Sequence, residues 1–304
     1  MSKIPPYLKA GDTIGITAPS GFMAIEKLQA CIDTLQNWGY TVKLGETTHS
    51  ESQTYFSGTD EERASDLQDM LDDPEVKAIL CARGGYGMSR IVDRLNFKRF
   101  RRHPKWVIGF SDITVLHAHI LRQYDIATLH APMGAAFNEG LDDNPYLASF
   151  RKAIEGEPLV YASPAHAQDR HGSVRGELVG GNLSLIAHLV GSDSDLKTKN
   201  RILFLEDIGE HLYAIDRMML QLKRSGRLDR LKGLVVGGFT DCKDTERPFG
   251  ATVEEIIRSH IETDRFPVCF GFPVSHEKEN VALKIGVLHQ LDVAPSGTTL
   301  KEVR

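Results

Sequence analysis

The stretch WVIGFSDITVLHAHI, Trp106 to Ile120, changes its hydrophobic period at a serine. Trp106 to Phe110 is an apolar, β-favouring run, whereas Ile113, Leu116 and Ile120 recur at helical spacing, so strand passes into helix within a residue or two of Ser111. A hydroxyl at such a corner is lifted above the C-terminal edge of a sheet. Gly109 leaves room for the tight backbone, and the first amides of the helix point back toward Ser111 with the positive end of the dipole. That geometry serves an acyl-transfer nucleophile. Ser followed by Asp at a helix start also serves as an ordinary N-cap, since either side chain accepts from an unpaired amide, and these residues alone leave both readings open.

Outward from this corner, the first half alternates strand and helix. TIGITAPSG reads as a strand ending in a small-residue turn, and Ile25, Leu28, Ile32 and Leu35 form a helix stopped by Gly39. YTVKLGE is a second strand. SGTDEERASDLQDMLDD is a helix capped at Thr59 or Asp60, VKAILCARGGYG is a third strand with a glycine-rich exit, and a short helix covers Ser89 to Leu95. After the Ser111 corner the helix runs to Tyr124, and IATLHAP is the fifth strand. Repeated units of this length predict a parallel α/β sheet whose site lies at the C-terminal strand ends.

From Met133 to Ser173 the rhythm is lost in NEGLDDNP and EGEPLVYASPAHAQDRHG, which predicts an N-terminal domain over 1–135, a linker over 136–173 and a C-terminal domain over 174–304. That last part reads as a smaller mixed α/β domain. Its strands are RILFLEDI, LKGLVVGGF, FPVCFGFPVSH and the paired runs of NVALKIGVLHQLDVA, the last two expected antiparallel around Gly286. Its helices lie around Ile215, Met218 and Leu222 and in TVEEIIRSHIE.

At 304 residues the chain can bury a sizeable core, and 41% hydrophobic with 25% charged residues is a soluble composition. A net charge of −5 gives no footprint for nucleic acid, and no window approaches a membrane span, so neither nucleic acid nor membrane is expected as a partner. MSKIPPYLKAGD has no signal-peptide core, which points to the cytoplasm. Cys31, Cys81, Cys242 and Cys269 are far apart and form no CxxC pair, so a disulfide framework and a zinc site are both disfavoured.

Three places carry candidate chemistry. ARGGYG, Ala82 to Gly87, lets backbone amides approach an oxyanion or a phosphate, but it lacks the third glycine of the dinucleotide pattern and the Gly-Lys-Ser/Thr ending of a P-loop. LFLEDIGEH ends an apolar strand in carboxylates, with Glu206 and Asp207 on opposite faces by strand alternation. FPVSHEKEN places His276 after an apolar run, where an imidazole reaches another loop. His117 and His119 are two apart on a helix and point in different directions, and no HExxH occurs, so no metal is expected. Ser, Glu and His follow the α/β-hydrolase order, yet Ile113 stands where that elbow needs a glycine.

The motifs TIGITAPSG, ARGGYGMSRI, VIGFSDITVLH, LVGGNLSLIAHLVG, LEDIGEHLYAIDRMMLQL and FPVSHEKEN together resemble the LD-carboxypeptidase family of serine peptidases, which also contains microcin-immunity peptidases. The resemblance covers nearly the whole chain. It implies a Rossmann-like N-terminal domain plus a smaller mixed α/β C-terminal domain, Ser111 as nucleophile, Glu206 as the acid and His276 as the base. It implies an oxyanion hole from the amides of Asp112 and of the glycine turn, Gly85 rather than Gly84. It further implies a cytoplasmic homodimer, no cofactor, and a muropeptide substrate losing its terminal D-alanine in cell-wall recycling. Arg83 or Asn182 is expected to hold the substrate carboxylate. The alternatives are a microcin-type peptidase cutting a peptidyl-nucleotide amide and a non-catalytic protein that closes on a small anion through Arg83 and the loop amides. The connecting segment offers Phe137, Tyr146, Phe150 and Tyr161 but no tryptophan to stack on a base.

Overall fold

Strand–helix alternation through the first half is what a computed structural model of the chain displays, over residues 2–139 and 144–303. In order come β1 (Thr13–Thr17), α1 (Gln29–Asn37), β2 (Thr41–Leu44), α2 (Asp60–Asp72), β3 (Val76–Cys81), α3 (Met88–Ile91), α4 (Lys98–Arg102), β4 (Trp106–Gly109), α5 (Thr114–Tyr124), β5 (Thr128–His130) and α6 (Pro145–Glu155). The second half contributes β6 (Val160–Ser163), β7 (Gly172–Asn182), α7 (Leu183–His188), β8 (Ile202–Ile208), α8 (Leu212–Arg224), β9 (Gly233–Thr240), α9 (Val253–His260) and β10 (Val268–Cys269). It ends with β11 (Leu283–Ile285), β12 (Leu288–Ala294) and β13 (Gly297–Glu302). Local chemistry sets several starts. Thr59 and Glu62 form a reciprocal capping box on α2, and Thr252 with Glu255 does the same on α9.

One sheet has the order β11-β5-β4-β3-β1-β2, and β1 to β5 pair in parallel. Every residue of β4 is buried, as a parallel strand covered on both faces requires. The other sheet runs β10-β9-β8-β7-β12-β13-β6. It is parallel from β10 to β7 and antiparallel from β7 to β6. The chain forms two units: Ser2–Glu157 with Val281–Lys284, and Pro158–Asn280 with Ile285–Arg304.

Three sequence expectations change here. The 136–173 stretch holds α6 and β6, which fall in different units on either side of Glu157 and Pro158. Asn144 accepts from the Tyr146 and Leu147 amides and Pro145 opens α6, so an Asn-Pro pair that reads as a turn is a helix start. Residues 140–143, inside NEGLDDNP, lie outside the described residues. The antiparallel pair expected around Gly286 does not form: β11 joins β5 in the first sheet, while β12 pairs with β7 and with β13 in the second. Finally, only Val268–Cys269 of FPVCFGFPVSH is strand, since Pro267 and Pro273 have no amide hydrogen to give a ladder.

Candidate active site

Ser111 stands where β4 meets α5, with a short 3-10 turn, Ser111–Ile113, between them. Its φ is +60°, in the left-handed region that a residue with a side chain enters at a cost. The sequence reading located the corner but not this conformation, because no glycine marks it. Gly109 makes the corner fit: a Cβ there would lie 2.9 Å from the Ile113 side chain. The Gly109 carbonyl accepts from the Ala131 amide at 3.2 Å and from His117 Nε2 at 2.9 Å. Burial pushes the His117 imidazole down to about 4, so the ring is neutral near pH 7 with its hydrogen on Nε2.

The glycine-rich turn after β3 lies directly against this corner. A Cβ on Gly84 would sit 2.9 Å from Ser111 Cβ and 3.2 Å from its Oγ, so the close approach depends on the absent side chain. Gly85 and Gly87 have φ of +100° and +147°. The turn is zipped to the exit of β1: Ala82 donates to the Thr17 carbonyl at 2.8 Å, and Gly21 donates to the Gly84 carbonyl at 3.0 Å. Arg63, fully buried on α2, donates to the carbonyls of Pro19 at 2.6 Å and Gly87 at 3.2 Å, and burial lowers its pKa. Arg83 is exposed and donates to the Phe22 carbonyl at 2.6 Å.

Asp112 is 1% exposed, and its Oδ2 accepts from Ser20 Oγ at 2.6 Å and from the Met88 amide at 2.8 Å. The sequence reading gave its backbone amide to the oxyanion hole and its side chain no more than an N-cap role. Ser20 and Arg63 were missed, since nothing local separates them from ordinary loop and helix residues, and His117 was weighed only as a metal ligand.

In the second unit, Glu206 and His276 meet. His276 Nδ1 donates to Glu206 Oε2 at 2.6 Å, with the Glu206 side chain wholly buried and that of His276 11% exposed. A carboxylate oxygen accepts, so Nδ1 carries the hydrogen and the lone pair of the neutral ring lies on Nε2. The path of the chain to His276 depends on a glycine pair in β9. A Cβ on Gly237 would lie 2.1 Å from the Val274 carbonyl oxygen, and one on Gly238 would lie 2.6 Å from Ser275 Cβ. Gly238 also donates to the Val274 carbonyl at 2.9 Å. The 272–276 segment is thereby drawn onto β9, the neighbour of the strand that carries Glu206.

Asn182 ends β7 in register with Glu206 and is buried. Its Nδ2 donates to Asp207 Oδ1 at 2.7 Å, and its Oδ1 accepts from Ser184 Oγ and the Leu185 amide, so its side chain caps α7. Asp207 also accepts from the Ser184 and Ile208 amides, yet burial, with the Glu206 charge adding, pushes its carboxyl up to about 7. The β8–β9 register shifts between Leu205 and Asp207, with the extra residue on β9, where Gly237 and Gly238 lie between the partners Val236 and Phe239; the pairing of β8 with β7 runs unbroken through Glu206. Of the expected residues, Ser111, Asp112, Gly84, Gly85 and Arg83 are gathered in the first unit, and Glu206, His276 and Asn182 belong to the second. Among the described residues no cluster of His, Cys, Asp or Glu is arranged to hold a metal ion.

Residues 14–131 match the model of the LD-carboxypeptidase N-terminal domain, and residues 175–291 match that of the C-terminal domain. The chain belongs to the LD-carboxypeptidase family. It is accordingly a serine-type carboxypeptidase with the Rossmann-like first domain and mixed second domain of that family. It is 36% identical over 294 residues, 95% of this chain and 92% of the other, to a Bacillus subtilis protein named "Probable murein peptide carboxypeptidase". It is 30% identical over 285 residues, 90% of this chain and 91% of the other, to the murein tetrapeptide carboxypeptidase of Pseudomonas aeruginosa. The crystal structure of muramoyltetrapeptide carboxypeptidase from Oxalobacter formigenes superposes with a TM-score of 0.86 at 29% identity, covering 96% of this carboxypeptidase and 99% of that chain.

Proposed function

We propose that this carboxypeptidase removes the terminal D-alanine from murein tetrapeptides, cutting the amide between an L-configured centre and a D-residue. The observation that carries the substrate is similarity, along nearly the whole chain, to relatives named for murein peptides. Ser111 attacks the scissile carbonyl while His276 Nε2 takes its proton, and Glu206 holds the ring through Nδ1 and stabilises the imidazolium. His276 then gives the proton to the leaving amine, and water resolves the acyl-enzyme. The amides of Asp112 and Gly85 receive the oxyanion. Supporting Gly85, the Gly84 carbonyl is committed to Gly21, so across the trans peptide the Gly85 N–H points the opposite way, while Gly84 makes the room.

Arg83, exposed on the turn next to Ser111, is the group proposed to hold the D-alanine carboxylate; the Asn182 side chain is already engaged in capping α7. A cytoplasmic homodimer in cell-wall recycling completes the proposal; among the described residues no helix is long and apolar enough to cross a membrane. The microcin-type alternative is disfavoured because three of the four aromatics of the connecting segment are already engaged: Phe137 and Phe150 are buried against Trp38, and Tyr161 packs edge-on against Phe272. The test is D-alanine release from a defined murein tetrapeptide and from the same peptide with its terminal carboxylate amidated. Rapid release from the first and little from the second is expected; equal rates on both defeat the carboxylate reading.

A further inference from the structure

We infer that the side chain of Asp112 is a positioning residue that sets the two oxyanion donors at their working separation. The inference rests on the proposed role of Ser111 and adds a function for a carboxylate that the mechanism otherwise leaves unused. Three loops must be held together for the hole to exist: the exit of β1, the glycine-rich turn after β3, and the corner after β4. One oxygen of Asp112 reaches both of the others. It accepts from Ser20 Oγ on the first loop at 2.6 Å and from the Met88 amide, where the glycine turn ends, at 2.8 Å. Its own backbone amide is one oxyanion donor and Gly85, three residues before Met88, is the other. The carboxylate therefore fixes one donor segment against the other through a single buried atom.

The surroundings support a rigid link. Asp112 and Ser20 are both buried, and the Arg63 guanidinium that binds Pro19 and Gly87 on the same two loops acts electrostatically on Asp112. The left-handed Ser111 gives the link its purpose: a backbone held in a costly conformation relaxes unless its neighbours over-determine it. Oxyanion donors act only when preorganised, and a misplacement of about 1 Å can cost about 10²-fold in rate.

The test uses the full chain as wild type, Asp112→Ala, Asp112→Asn and Ser20→Ala, with kcat and KM for tetrapeptide hydrolysis and affinity for a peptidyl boronate, whose adduct with Ser111 places an oxygen in the hole. In Asp112→Ala, kcat is expected to fall about 10²-fold with KM within about threefold, and boronate affinity to fall in step. Asp112→Asn keeps the accepting oxygen and should recover most of the loss. Ser20→Ala, which breaks one of the two bonds, should lose several-fold in both kcat and boronate affinity. A folded Asp112→Ala enzyme with wild-type kcat, or an Asn variant as impaired as Ala, overturns the inference. If the Ala variant does not fold, a Ser20→Ala enzyme indistinguishable from wild type overturns it instead. Failure of a fluorophosphonate to label wild-type Ser111 would strike the proposed function itself, a separate outcome.

Discussion

The two units hold their reactive groups by different means. Around Ser111 the backbone is the instrument: a left-handed serine, glycines that a methyl group would displace, and carbonyls tied by Ala131, His117, Gly21 and Arg63. Around His276 the instrument is a side-chain pair, a buried carboxylate at 2.6 Å from an imidazole nitrogen. The Ser111 site answers above all to added volume. The His276 site answers to loss of charge in its pair as well as to added volume at Gly237 and Gly238, so charge-removing substitutions separate the two.

The largest effect falls on both units alike. Ser111→Ala and His276→Ala should each lower kcat about 10⁶-fold, because nucleophile and base act as one unit, with thermal unfolding nearly unchanged. Full D-alanine release by either variant removes the mechanism. Glu206→Gln keeps the shape but changes the chemistry and should cost about 10⁴-fold in kcat. Its counterpart is Gly84→Ala, which adds one methyl 2.9 Å from Ser111 Cβ and should cost about 10²–10³-fold by spoiling the oxyanion geometry. If Gly84→Ala is silent in steady-state kinetics, the contrast between the units fails.

Proton linkage sharpens the contrast. In the second unit Asp207 is raised to about 7, so it contributes stability that is full below its unfolded value of 3.8 and lost as pH rises through about 7. In the first unit His117 is lowered to about 4, so its contribution is present above its unfolded 6.5 and lost as pH falls toward 4. Between these limits the two slopes oppose. Urea unfolding from pH 4 to 7 should show Asp207→Asn gaining on wild type as pH rises and His117→Gln gaining as pH falls; parallel curves for wild type and variants remove this linkage. The smallest effect is steric: Ser111→Gly should be more stable than Ser111→Ala by about 1 kcal/mol in the same assay, since only alanine keeps a Cβ in the left-handed region.

Much of the architecture was legible because it is periodic. The change of period at Ser111 and the small-residue strand exits placed β1, β3, β4 and the corner itself. What escaped the sequence is non-local. Gly286, at φ +83°, looks like any hairpin glycine, and only the folded chain shows its two flanks going to different sheets. Glu206 and His276 were paired by the family resemblance and not by their own residues, because the Gly237–Gly238 approach that draws the 272–276 segment onto β9 reads as ordinary strand glycine. Ser20 matters through a contact 92 residues away along the chain, and Arg63 through contacts 44 and 24 residues away.

The return of Val281–Lys284 to the Ser111 unit has a consequence for synthesis. The sheet begun by β1 is not complete until β11 is laid beside β5, more than a hundred residues after α6 has left the ribosome. Until then β5 offers an open edge, the kind of surface on which nascent chains pair wrongly. A fragment ending at Glu157 inherits that edge permanently, so the Ser111 unit is a product of the whole chain, finished near its end.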